Sequence, residues 1–148
     1  MRLTFTKRGG KYDALLIERP DGSSETVDCP KQGIIPHDMV HYGVESILAH
    51  RGFLSLVAGG QAPDFGTSGG DAEESVERLV ESFQAEMWGG RVPAEELLAT
   101  YEHACDARGH SAVPVSVGDV QAIRARLDDL TAQWNAVPMN GSLTFELS

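Results

Sequence analysis

Lysine runs out early in this chain. None follows Lys31, and residues 61–148 hold only five basic side chains, all arginine. Fifteen acidic ones stand against them and account for the whole formal net charge of −10, because residues 1–60 hold seven of each sign. Nucleic-acid surfaces need clustered Lys and Arg, so no nucleic-acid partner is expected. Cysteine is scarce too. Cys29 and Cys105 are too few for a disulfide framework and fit no C-x-x-C spacing. They read as buried small residues in a chain of the reducing cytoplasm. No run of about 18 apolar residues exists, which excludes a membrane span of the helical kind. The start, MRLTFTKRGG, lacks the apolar stretch of a secretory signal. Neither a G-x-x-x-x-G-K phosphate loop nor a G-x-S-x-G nucleophile elbow occurs. Acidic groups such as Glu73, Glu74 and Glu77 do not match a calcium loop and read as charge at a helix N-terminus.

What is present suits one α+β domain over residues 1–148. The chain is long enough, and at 41 % hydrophobic apolar enough, to close a core. Leu3 and Phe5 alternate with Thr4 and Thr6, the period of a half-buried strand. Gly9-Gly10 signals a hairpin, Tyr12 to Arg19 a second strand, and Pro20-Asp21-Gly22-Ser23 a turn. Glu25 to Cys29 is a third, shorter strand. Pro36 then opens a helix to about His50, with Gly52 as its stop. Phe53 to Val57 is apolar and reads as helix or strand, and the glycine-rich 59–70 as a mobile loop. Three more helices follow. In the first, Asp71 and Glu74 form a capping-box variant ahead of Val76, Leu79, Val80, Phe83 and Met87. The second begins at Pro93, carries Leu97, Leu98, Tyr101 and Cys105, and stops at Gly109. The third is capped by Ser116 or Asp119 and carries Val120, Ile123, Leu127, Leu130 and Trp134. Leu143 to Leu147 closes the chain as a strand. The expected architecture is a small antiparallel sheet, an N-terminal meander plus the C-terminal strand, with about four helices mainly on one face. Trp88, beside two glycines, reads either as a core residue closing its helix or as an exposed anchor for a partner.

The candidate site is the block His37-Asp38-Met39-Val40-His41-Tyr42-Gly43-Val44-Glu45. Two histidines four apart share a helix face about 6 Å apart along the axis, which is how a helix offers two imidazoles to one ion. On a helical wheel His37, His41, Glu45 and Asp38 fall at about 0°, 40°, 80° and 100°, one polar stripe beside the apolar face of Val40, Val44 and Ile47. Glu45 lies about 12 Å along the axis from His37, too far to share an ion comfortably. It is better placed to hydrogen-bond His41 and fix its tautomer. A third ligand must come from elsewhere: His50, His103, His110, Cys29, Cys105 or a carboxylate. His103 lies opposite the apolar stripe of its helix and reads as solvated.

The five residues His37 to His41 resemble the zincin metalloprotease motif H-E-x-x-H, with aspartate in place of glutamate. The resemblance implies His37 and His41 as ligands of a divalent metal such as zinc and Asp38 as general base. The extended motif of one branch is absent, since Gly43 comes two residues after His41 rather than three. The glutamate ligand of other branches would sit on a later helix. More broadly, the P-H-D-x-x-H-Y-x-V-E block between an N-terminal meander and the closing G-S-L-T-F-E-L strand resembles a group of small uncharacterised bacterial proteins. That likeness implies a stand-alone cytoplasmic protein and brings no activity with it. The leading expectation is a metal-binding protein with His37 and His41 as ligands. Metal-dependent hydrolysis, with Asp38 or Glu45 taking a proton from bound water, is one open activity for it. A purely structural hydrogen-bonded seam between helix and sheet is the other reading of the same stripe. The alternatives are a non-catalytic module whose acidic helical half meets a basic protein partner, and a surface for self-association.

Overall fold

The computed structural model describes residues 1–48 and 70–147. Three N-terminal strands, β1 (Arg2–Thr6), β2 (Tyr12–Glu18) and β3 (Ser24–Pro30), form the expected meander. Strand β3 is longer than the sequence pattern indicates, because all seven of its residues find partners on β2, from Ser24 opposite Glu18 to Pro30 opposite Tyr12. Gly10 and Gly22 supply the left-handed backbone (φ 83° and 92°) in the two turns. The C-terminal β4 (Ser142–Glu146) pairs antiparallel with β1, placing Phe145 opposite Leu3 and Leu143 opposite Phe5. The sheet order is thus β3-β2-β1-β4, and the fold class is α+β.

Alternation decides which face is covered. Leu3, Phe5, Leu15 and Ile17 are buried beneath the helices. On the other face Thr4 meets Thr144 and Thr6 meets Ser142 through hydroxyl contacts in the open. Among the described residues the helices are α1 (His37–Leu48), α2 (Asp71–Gly89), α3 (Ala94–Ala107) and α4 (Val117–Ala136). The sequence-based extension of α1 to His50, its stop at Gly52, the Phe53–Val57 segment and all but Gly70 of the 59–70 loop fall outside the described residues.

Helix α1 is the centre of the arrangement. It packs against α4, α2 and β3, and its residues Asp38 to Glu45 are all buried. The polar stripe therefore does not rim the core as its helical wheel suggests, but is enclosed by neighbouring elements. Gly43 makes the approach of α4 close: a Cβ there would stand 2.7 Å from Leu127 Cδ2 and 3.2 Å from Leu130 Cδ1. Tyr42, on the sheet side, stacks on Phe145 with ring centroids 4.7 Å apart.

The helix ends follow their local chemistry, with one correction. Ser116 caps α4 in a full capping box, its side chain accepting from Asp119 N while Asp119 accepts from Ser116 N. Asp71 and Glu74 do not form the expected box. Gly70 is the N-cap, with extended backbone and no side-chain cap, and its carbonyl accepts from Glu74 N. Asp71, Glu73 and Glu74 sit in the first turn, where carboxylates suit the helix dipole. Helix α3 starts after Pro93 and ends before Gly109 (φ 73°) as its sequence indicates. Both cysteines are buried and unpaired with each other. Trp88 is exposed, and its Nε1 donates to the backbone oxygen of Gln32 at 2.7 Å.

Candidate metal centre

His37 and His41 lie one turn apart on α1, and their rings meet edge to face with centroids 4.8 Å apart. The third member of the cluster comes from α2. Glu77 brings Oε1 to 3.3 Å from His37 Nε2 and Oε2 to 2.8 Å from His41 Nε2. One ligand atom from each of the three residues can be chosen so that all lie within 4.8 Å of one another, with Cys, Asp and other His side chains adding no such group among the described residues. A tetrahedral ion held at about 2.0–2.1 Å would space its ligands by about 3.3 Å, close to the His37–Glu77 separation.

The far sides of both rings are held by acceptors. His41 Nδ1 is 3.1 Å from Glu45 Oε2, the i,i+4 pairing expected from the sequence, and both side chains are 1 % exposed. His37 Nδ1 is 3.0 Å from Gln84 Oε1. Gln32 Nε2 donates to that same oxygen at 2.9 Å and to the backbone oxygen of Ile35 at 2.8 Å. With Nδ1 turned to an oxygen in each case, Nε2 is the nitrogen of both rings that faces Glu77.

Burial and charge set the protonation. Burial opposes charging of His41, but Glu45 and Glu77 more than reverse this and raise its pKa from 6.5 to about 10. Burial would raise the carboxyl of Glu77, yet its contacts with His37 and His41 win and lower it. Asp38 is pushed up, mainly by burial, against the pull of His41 and His37. Its Oδ2 accepts a long hydrogen bond from Cys29 Sγ at 3.9 Å, and its Oδ1 is buried with no hydrogen-bond partner among the described residues. Burial, followed by the charge of Asp38, raises the Cys29 thiol well above its usual range, so it stays protonated and unreactive.

Of the four site residues picked from sequence, the structure brings His37, His41 and Glu45 into one contact network and turns Asp38 toward β3. Glu77, Gln84 and Gln32 were missed. Glu77 and Gln84 stand three residues before and four after Val80, so they share the face of a fully buried residue. Polar residues on an apolar face were the available signal. Among the other candidate ligands, Cys29 and Cys105 are buried away from the cluster, and His103 is exposed. His110 stands 3.9 Å from Asp71 and 3.8 Å from Glu74, and His50 lies outside the described residues. Comparison with known proteins finds no matching family model, no matching curated protein and no matching solved structure.

Proposed function

We propose that the protein binds a divalent transition-metal ion, zinc being the natural first test, through Nε2 of His37, Nε2 of His41 and the carboxylate of Glu77. The observation that carries this reading is the convergence of those atoms from two helices, each ring backed on Nδ1 by an oxygen acceptor. Backed imidazoles of this kind are how proteins orient histidine toward a metal. Two nitrogens and one carboxylate are a ligand set for zinc or for non-haem iron, and three protein ligands leave room for water or substrate, as catalytic rather than structural sites do. His37 and Glu77 are the partly exposed members, with side chains 21 % and 27 % accessible, and give the open side.

The reaction class that follows is metal-assisted hydrolysis, in which a bound ion brings the pKa of water toward neutrality. Glu45 serves in this scheme by orienting His41, because its carboxylate is engaged on Nδ1, away from Glu77. Asp38, which the motif resemblance would make the base, faces Cys29 on β3 and takes no part in this scheme.

The test is elemental analysis of the untagged protein beside Glu77→Gln and His41→Ala prepared identically. Near-stoichiometric metal in the parent, lost in both variants, with a thermal midpoint that chelator lowers only in the parent, is the expected result. A parent free of metal and silent to added zinc would overturn the reading.

A further inference from the structure

The two histidines are backed unequally, and the difference points to a role for residues outside the ligand set. Hydrogen positions on a ring or an amide have to be deduced from partners that allow only one answer. For His37 such a chain of partners exists. The backbone oxygen of Ile35 can only accept, so the atom of Gln32 that lies 2.8 Å from it is the amide nitrogen. That nitrogen spends its second hydrogen on Gln84, so the Gln84 atom 2.9 Å away is the carbonyl oxygen. The same oxygen is 3.0 Å from His37 Nδ1 and obliges that nitrogen to carry the proton. With Nδ1 committed to Gln84, Nε2 is the nitrogen of His37 that faces Glu77 and would face an ion. Gln32 is itself fixed to α2 at a second point, through the Trp88 indole that donates to its backbone oxygen. Trp88 and Gln84 are four apart on α2, so one face of that helix grips the loop before α1 twice. Gln84 is buried, at 6 % exposure, which shields the chain from competing water.

We propose that Gln84, locked by Gln32, is the positioning residue that makes His37 a metal ligand, by holding its proton on Nδ1. This rests on the metal reading above for its consequence, though not for its geometry. Imidazole in water prefers the other tautomer, with the proton on Nε2, where it would block the ion. Loss of the acceptor at position 84 therefore frees the ring to adopt the non-binding form. The backing of His37 is a neutral amide, whereas that of His41 is a carboxylate, so His37 is the weaker donor of the pair.

The experiment compares the parent, Gln84→Leu, Gln84→Glu and Gln32→Ala. Two readouts are taken: zinc affinity by competition with a chromophoric chelator, and imidazole nitrogen NMR of the metal-free proteins at mildly alkaline pH. Gln84→Leu is expected to weaken zinc by about 10–100-fold and to move the His37 proton to Nε2. Gln84→Glu keeps an acceptor and is expected to restore both readouts, with affinity equal to the parent or tighter. Gln32→Ala, at a partly exposed site that spares the helix packing, should shift both in the direction of Gln84→Leu. An unchanged tautomer in Gln84→Leu overturns the proposal whatever zinc does, as does parental zinc affinity in a Gln84→Leu protein whose tautomer has shifted. A parent that binds no zinc yet shows the tautomer pattern refutes the metal reading and leaves Gln84 as the orienting residue of His37.

Discussion

Raising the pH should loosen the metal-free protein and tighten its hold on zinc, and both effects trace to His41. Burial lowers the charge affinity of this ring, but Glu45 and Glu77 overcome it and lift the pKa from 6.5 to about 10. A group whose folded pKa lies above its unfolded value contributes stability that is complete below the unfolded pKa and lost as pH rises through the folded one. The window is therefore about 6.5 to 10, and at about 1.4 kcal/mol per pH unit the full loss is roughly 5 kcal/mol. Glu77 acts oppositely: its lowered pKa contributes stability present above 4.5 and lost on acidification. An ion must displace the proton that His41 carries on Nε2, so apparent zinc affinity should rise about tenfold per pH unit up to about pH 10. An ordinary histidine, already neutral above pH 7, would give a flat profile there. Calorimetry of zinc binding at pH 8, in buffers of different ionisation enthalpy, counts the protons and should find about one released by His41. Urea titrations with chelator or zinc follow the stability. Glu45→Gln should lower the His41 pKa and move both effects to lower pH. No proton released at pH 8, with affinity level between pH 7.5 and 9, would refute the account of His41 as an imidazolium clamped by two carboxylates.

Three further perturbations probe the surroundings. Asp38→Asn removes a carboxylate whose raised pKa makes its ionised form a burden on the folded state above pH 3.8, so the metal-free protein should be as stable as the parent or more so at pH 7; a midpoint several degrees lower would show that the charge is needed for folding. Gly43→Ala gains about 1 kcal/mol of helix propensity and pushes a Cβ against the ends of Leu127 and Leu130, so denaturant titration should find a net cost of about 1 kcal/mol or less, against about 3 for Gly43→Val. Arg124→Ala strips Glu86, whose side chain is 7 % exposed, of two hydrogen bonds at 2.9 and 2.7 Å and should cost about 3 kcal/mol; adding Glu86→Gln should recover part of it, and a simple sum of the two losses would show the pair is not coupled.

The sheet was legible because its signal is local. Leu3 and Phe5 announce their burial within five residues, and the regular stripe of α4 does so within one helix. The His41–Glu45 contact was legible for the same reason, since both residues lie one turn apart on α1. Glu77 was not, because what matters about it is a neighbour 36 positions earlier in the chain. It stands beside Glu73 and Glu74, whose first-turn placement on α2 fully explains them as partners of the helix dipole. Gln84 and Gln32 carry no charge and belong to no motif. They become informative only when the packing of α1 on α2 sets an amide oxygen beside an imidazole nitrogen.

The zincin-like spacing names two of the three converging residues, but the case for a site rests on cost rather than on motif. An imidazolium enclosed by two carboxylates has been taken out of water, and attraction within the cluster repays that only in part. Apolar side chains of similar volume would pack there without the penalty, and the surrounding Met39, Val40 and Val44, none of them accessible, show that the environment suits them. Burial also extends to Glu45, which holds His41 Nδ1, and to Gln84, which holds His37 Nδ1 as well as Gln32. Both set the direction and basicity of Nε2, the properties that the proposed ion on the Glu77 side would use.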